Sequence, residues 1–438
     1  MRRLLYEMRR SLAAPSRHPR MAVVVGRLLG GAFVICFGTG LYSHFLQEPL
    51  PWMAFPTSPP WLYQLTQGIH VTTGIACFPL LLGKLYTVYP RLFSYPPITG
   101  FVSLVERASI AVFVAASLVE ISTGLVNTFR WYPWPFPFRQ VHFALAFVII
   151  GSLAIHIGFK LPVITRYWTR ARSLDADGQL RPPAPDEHDA EREVVTPAGA
   201  GVSTVATAPR DAVVPAQDLP IAGITGRIFD WIDSAPSAQP RIARRGFLIT
   251  VGLGVASVVA LTAGQSFSVL GPLNVFAPRK KGQGPGGLPV NRSAVAARIT
   301  PEAVGADWRL VLRKGDVEVR LRYDDLLSMP QRSEVLPIAC VEGWSQTAQW
   351  RGVRLNELMQ LVGWKPGEGL RLHSLEVKGG YRETAMGPEY AADPRTLVAL
   401  RLDGEVLDID HGYPARMIAP GRPGVLQTKW LGMLEVEA

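Results

Sequence analysis

The chain has 438 residues, of which 48% are hydrophobic and only 18% charged, and its mean hydropathy is +0.16. A net charge of +10 and a pI near 9.7 would suit a nucleic-acid partner, but no basic patch interleaved with aromatics occurs; the arginines and lysines sit beside apolar stretches instead. Three cysteines, two of them (Cys36 and Cys77) in apolar stretches and the third (Cys340) alone in the last third, exclude a disulfide framework.

In chain order, residues 1–20 form a basic arm carrying Arg2, Arg3, Arg9, Arg10, Arg17 and Arg20, expected on the cytoplasmic side. Four apolar segments follow at 21–44, 63–86, 102–127 and 140–162, each long enough for the ~20 residues a bilayer crossing needs. They predict an all-α transmembrane four-helix domain over 21–170, with lipid as its first partner. Lys84 and Arg91 between the second and third spans, and Lys160, Arg166, Arg170 and Arg172 after the fourth, keep those loops inside. The outer loop at 45–62 has no Lys or Arg, although that at 128–139 has Arg130 and Arg139.

Ionisable residues within spans are costly and commonly functional. His70 and His142 lie a few residues into the second and fourth spans, which run in the same direction, so both imidazoles fall at matching depth near the outer face. In an up-down bundle those helices are diagonal neighbours, and two neutral imidazoles can clamp a haem iron there. Each histidine alone is equally compatible with a hydrogen-bonded packing role. His156 follows His142 by 14 residues, about 40° short of four full turns and about 21 Å along the same face, a candidate for a second haem. This spacing resembles the di-haem b-type membrane subunits of bacterial dehydrogenases and b561-like cytochromes. It departs from them in the first span, where Gly30 and Gly31 stand in place of a histidine; His18 and His44 are not obviously placed to partner His156. Arg139 is a candidate for haem propionates or a plain interfacial arginine. Glu120 is a candidate proton or quinone-site carboxylate, or else snorkels to the interface.

Residues 171–240 are rich in Pro, Ala, Asp, Glu, Thr and Val without periodicity and read as a disordered cytoplasmic linker, ending in a short membrane-surface helix near Arg227–Ile232. The region 241–271 opens with Arg244-Arg245-Gly246-Phe247-Leu248 before a Gly- and Ala-rich apolar core, which looks like a twin-arginine export signal in mid-chain. An ordinary positively flanked helix is the alternative. With no clear cleavage site it is expected to remain as a fifth, anchoring helix. Parity then puts residues 285–438 on the extracytoplasmic side of a bacterial inner (plasma) membrane.

From Leu288 the chain becomes polar and strand-like. Trp308–Arg313 and Val317–Arg322 flank Lys314-Gly315-Asp316, and Leu397–Leu402 and Val406–Ile409 flank Asp403-Gly404-Glu405, two hairpin signals with a helical stretch near 355–363 between them. An α+β domain is expected. Within it, Ala339-Cys340-Val341-Glu342-Gly343-Trp344-Ser345 resembles the molybdenum-ligand segment of the sulfite oxidase family, in the branch with the periplasmic methionine sulfoxide reductase catalytic subunit. Asp410-His411-Gly412-Tyr413-Pro414-Ala415-Arg416, Pro420–Gly424 and Thr428-Lys429-Trp430-Leu431-Gly432 are similar to the family's pterin-binding tail.

The resemblance implies a sulfite oxidase-type molybdopterin domain with Mo-molybdopterin as cofactor. Cys340 would ligate molybdenum as a soft thiolate. His411, Arg416, Gln427, Thr428 and Lys429 would contact the pterin, with Asn291 and Arg292 as a weaker match. Glu342 and Tyr381 are candidate catalytic residues on the substrate side, Arg382 beside them; the bland alternatives are a solvated loop acid for Glu342, a turn residue for His411 and a surface lysine for Lys429. Ala438 follows soon after Lys429, where sulfite oxidases continue into a dimerisation domain with an active-site tyrosine, so sulfite is not the expected substrate. The expectation is an oxidoreductase exchanging electrons between the quinone pool and an extracytoplasmic small-molecule or protein-sulfoxide substrate through haem b, exported by the twin-arginine machinery. Oxidation of a small substrate, or a non-catalytic haem electron-transfer protein, remain the alternatives.

Overall fold

The computed structural model describes residues 14–93, 98, 100–177, 179–181, 227 and 243–437. Most of the basic arm, nearly all of the linker, and the surface helix expected near Arg227–Ile232 (apart from Arg227 itself) lie outside the described residues. Among the described residues five helices are long and apolar enough to cross a membrane: α1 (Pro19–Gln47), α2 (Leu62–Val88), α3 (Phe101–Thr128), α4 (Phe138–Arg166) and α5 (Arg244–Thr262). They are apolar all round rather than along one stripe, as helices facing lipid are. Pro19 opens α1, where its missing N–H is harmless. Pro79 and Pro162 sit inside α2 and α4, a position that membrane helices tolerate.

The chain divides into two compact units. The first comprises 1–27, 82–106 and 157–251. Here Arg20 donates to the Tyr167 carbonyl at 3.3 Å and to Ser173 Oγ at 2.8 Å, while Lys84 donates to the Ala22 carbonyl at 2.8 Å. Gly26 makes that possible, because a Cβ there would lie 3.0 Å from the Lys84 ammonium. Lys160 pairs with Glu106.

The second unit comprises 28–81, 107–156 and 252–438. Its C-terminal part holds ten strands: β1 (Leu310–Lys314), β2 (Val317–Leu321), β3 (Arg332–Ala339), β4 (Ser345–Arg354), β5 (Leu370–Ser374), β6 (Glu383–Met386), β7 (Leu397–Leu402), β8 (Glu405–Val406), β9 (Arg416–Ile418) and β10 (Leu431–Val436). One sheet has the order β2-β1-β10-β5-β6; the other runs β3-β4-β7-β8, with β9 also on β7. Both expected hairpins form. Gly315, at φ +54°, turns β1 into β2. The second hairpin is shorter than its apolar run, because Asp408 caps a turn by accepting from the Asp410 N–H at 2.7 Å. The helical stretch is Leu355–Met359 plus a 3-10 turn, closed by Gly363 at φ +74°.

The main core lies between the sheets: Leu310, Leu312, Leu372 and Leu434 from one meet Val398, Leu400 and Met417 from the other. Leu397 and Ala399 alternate with these and face a second core containing Leu336, Ile338, Trp350 and Cys340. Strand β7 is therefore buried on both faces, which is why its sequence is an unbroken apolar run. The closing strand β10 pairs parallel to β1, Val311 opposite Met433, and thereby ties the chain end to the domain's start.

Candidate active site

Cys340 follows the last residue of β3 and opens the turn into β4. Its N–H donates to the Trp344 carbonyl at 2.9 Å, and its own carbonyl accepts from Gly343 at 3.0 Å. Gly343 has φ +96°, a conformation that glycine adopts without strain. Gly424 comes so close from the far side that a Cβ there would lie 2.8 Å from the Ala339 carbonyl oxygen. The thiol is 1% exposed, and burial, with the Glu342 charge adding to it, pushes its pKa up.

Around it gather buried cations. Arg416 is 1% exposed; its Nη1 donates to the His411 carbonyl at 3.3 Å, and its Nε finds no partner among the described residues. Burial pulls this guanidinium down to about 9, with Cys340 opposing the shift. The Lys429 ammonium donates to the carbonyls of Arg292 and Asp410, both at 2.7 Å, and burial and then Arg416 hold it well below its ordinary range. His411 is held down to about 4 by burial, with Arg416 and Lys429 adding to the effect. Its Nε2 lies 2.8 Å from the Pro285 carbonyl, an acceptor, so Nε2 carries the hydrogen and Nδ1 keeps a lone pair. Arg292 lies 3.6 Å from Glu376, whose carboxyl is pushed up by burial against the pull of Arg292 and Lys429.

The turn that carries Cys340 is docked on the long apolar helices. From α2, Gln64 donates to Ser345 Oγ and Gln67 to the Val341 carbonyl, both at 3.0 Å. Beyond α5, Gln265 donates to the Glu342 carbonyl at 3.4 Å and Ser266 to that of Gly343. A Cβ on Gly343 would lie 2.9 Å from Val71 of α2. Glu342 is buried between Arg130, at 3.2 Å, and Arg279, at 3.9 Å; burial pushes its carboxyl up and the two arginines oppose it.

Below this turn lies a cavity of about 840 Å³ whose wall includes His70, His142, Glu120, Glu342, Val341 and Tyr381. The His70 and His142 ring centres are 6.3 Å apart. Tyr381 donates to Gln47 at 3.2 Å, and Arg139, on the same wall, pairs with Glu48. His156 stacks on Phe113, not on a second histidine. Both nitrogens of His18 are engaged, with the Arg181 carbonyl and the Arg20 N–H, and His44 stacks on Phe143.

Residues 297–438 match the family model of the oxidoreductase molybdopterin binding domain. Over these residues the chain is thus similar to that domain. The chain is 29% identical over 113 residues to the "Putative protein-methionine-sulfoxide reductase subunit YedZ1" of Azospira oryzae, covering 26% of this chain and 42% of that one. It is 33% identical over 123 residues to the NADH nitrate reductase of Ulva prolifera, covering 24% and 14%. It is 29% identical over 153 residues to the mitochondrial sulfite oxidase of Rattus norvegicus, covering 28% of each. The chain thus spans less than half the length of these curated relatives.

The structure brings Cys340, His411, Arg416 and Lys429 into one buried neighbourhood, with Arg292 joined to it through Lys429. Gln427 instead spends its side chain on backbone: Nε2 donates to the Ala419 and Arg422 carbonyls and Oε1 accepts from Ala419 N–H. Thr428 Oγ1 meets Thr384 at 3.0 Å. Asn291 is half-buried. Sequence reasoning missed Arg130, Arg279, Gln64, Gln67, Gln265 and Ser266, which hold the cysteine turn, and Arg422, fully buried with Nη1 unpartnered among the described residues. Only Arg422 had a local signal, since it stands inside the Pro420–Gly424 motif.

Proposed function

We propose that this protein is a membrane-bound molybdopterin oxidoreductase that exchanges electrons between the quinone pool and an extracytoplasmic substrate. The observation that carries the reading is the single cavity whose wall joins the histidine pair to the turn bearing Cys340. Both absent groups fit the residues present. For the pterin, buried cations with an orphaned Arg416 Nε require an anion, and a phosphate-bearing ligand supplies one. For haem b, two imidazoles sharing one iron stand roughly 6 Å apart, since each metal–nitrogen bond is about 2 Å. The 6.3 Å between His70 and His142 agrees, and Gly40 makes room for the His70 ring, which a Cβ there would meet at 2.9 Å. One haem is proposed, held by His70 and His142.

Bound molybdenum would supply two-electron oxygen-atom transfer, and bound haem single-electron exchange with the membrane. The chain's own groups do the rest. Cys340, which burial keeps protonated alone, gives up its proton to serve as the thiolate ligand. Arg416 and Lys429 neutralise the cofactor's phosphate, and the neutral His411 offers Nδ1 as an acceptor to a pterin N–H. Glu342, fixed by Arg130 and Arg279, and Tyr381 line the approach from the cavity. The outward reading of residues 285–438, with export through the twin-arginine machinery, follows from the parity of the spans.

Similarity to the methionine-sulfoxide reductase subunit supports sulfoxide reduction; similarity to sulfite oxidases supports the reverse direction as the second reading. The test is purified membrane protein assayed for molybdenum and haem. One molybdenum and one haem per chain, with quinol-reduced haem reoxidised by a methionine sulfoxide peptide, are expected. Cys340→Ser should abolish that reoxidation and leave the haem spectrum intact. Haem without molybdenum, or reoxidation that survives the substitution, sinks the proposal.

A further inference from the structure

His70 and His142 are held from behind by different chemistry. His70 Nδ1 lies 2.9 Å from the Cys36 carbonyl oxygen, a neutral acceptor, so Nδ1 carries the hydrogen and Nε2 keeps its lone pair. His142 Nδ1 lies 3.2 Å from Oε1 of Glu120, a carboxyl group. The contact is at ion-pair distance, and His142 Nδ1 has no regular hydrogen bond among the described residues. The other oxygen, Oε2, is buried and has no hydrogen-bond partner among the described residues. No lysine or arginine among the described residues pairs with Glu120: Arg139 is taken by Glu48, and Arg130 by Glu342. One turn beyond Glu120 on α3, Gly124 leaves space beside the same ring, where a Cβ would lie 3.4 Å from His142 Cε1.

We propose that Glu120 is the positioning residue of the imidazole pair: it fixes His142 as the Nδ1–H tautomer with Nε2 turned into the cavity, and puts a carboxyl group behind one of the two ligands only. The inference rests on the reading that the pair holds a haem iron. A carboxylate behind a ligating histidine orients the ring and raises its basicity. It also favours the more positively charged oxidised iron, which lowers the reduction potential. The Cys36 carbonyl gives His70 orientation without that charge. Glu120 therefore poises the site as an electron donor toward the domain above, and touches neither quinone nor substrate in this role.

The test compares full-length membrane-purified protein with Glu120→Gln, Glu120→Ala and His142→Ala. Haem content is read after extraction, the midpoint by optical redox titration, and the ligand field by electron paramagnetic resonance of the oxidised protein. Glu120→Gln keeps an oxygen acceptor for Nδ1–H but not the charge; it should retain haem with a midpoint shifted to more positive potential. Glu120→Ala should show the same shift and weaker haem retention, in line with the loss of about 10–100-fold in affinity typical of such outer partners. A packing defect alone would lower haem content in both variants without moving the midpoint of the haem that remains, and that result overturns the proposal. Wild-type content and midpoint in both variants overturn it too. An unchanged haem spectrum in His142→Ala instead refutes the ligand pair itself, so the two failures are distinguishable.

Discussion

The His411 imidazole is held neutral by its position, because burial and two neighbouring cations make a third positive charge costly. That has a sign. From the ordinary value of 6.5 down to about 4, the unfolded chain binds a proton that the folded domain refuses. The stabilisation is thus complete above about pH 6.5 and is lost as pH falls through that window. Thermal unfolding of cofactor-free protein should show a midpoint that drops between pH 7 and pH 4.5, and His411→Gln should flatten that part of the profile relative to the parent. Equal slopes in the two proteins would remove His411 as a source of the dependence. Bound pterin phosphate should shrink the difference, since an anion beside His411, Arg416 and Lys429 offsets their repulsion.

At the scale of elements, the β3–β4 turn carries the most constraint. Gly343 combines φ +96° with Val71 at 2.9 Å from where a Cβ would stand, so a side chain there is both strained and obstructed. Gly343→Ala should destabilise the protein by about 1–3 kcal/mol and speed hydrogen exchange at 340–345. Val71→Ala should return the steric part of that loss and leave the backbone part; a double mutant no better than Gly343→Ala would show that the contact with α2 carries none of it. This turn also shows why some of the site was legible in the sequence and some was not. Cys340, His411, Arg416 and Lys429 stand in motifs whose chemistry is set by residue type and short spacing. His70 and His142 could be matched from their depth in two spans, and the hairpins from Gly between alternating runs. The clamp could not be read that way. Gln67 matters only because it meets Val341, 274 residues later, and an isolated glutamine near a helix start carries no mark of such a partner. Arg130 was visible only as an exception to the charge rule for outer loops, and its pairing with Glu342 supplies the physical reason for that exception. The parallel β1–β10 pairing was hidden for the same reason, since neither strand's pattern names its neighbour.

For the whole molecule, the proposed sidedness can be tested without disturbing the site, because Cys77 and Cys340 are buried and Cys36 is half-buried. Val295 is 86% exposed in the segment leading into β1. A Val295→Cys protein in intact cells should react with a membrane-impermeant maleimide, whereas Arg170→Cys, beyond the fourth span, should react only after permeabilisation. The opposite pattern would reverse the topology.

The clamp on the cysteine turn also has a consequence in time. The carbonyls of Val341, Glu342 and Gly343 receive their hydrogen bonds from Gln67, Gln265 and Ser266, none of which belongs to residues 297–438. If residues 297–438 fold before docking, as the proposed folded export would require, they complete their sheets while that one turn still relies on water. Its last polar groups are satisfied only on seating against α2 and the segment after α5. On that proposal docking would be the closing event of biogenesis: the same step that dries the turn would bring Val341 and Glu342 to the cavity wall that includes His70 and His142, so that a protein halted before it could hold its metal and still lack its electrical connection.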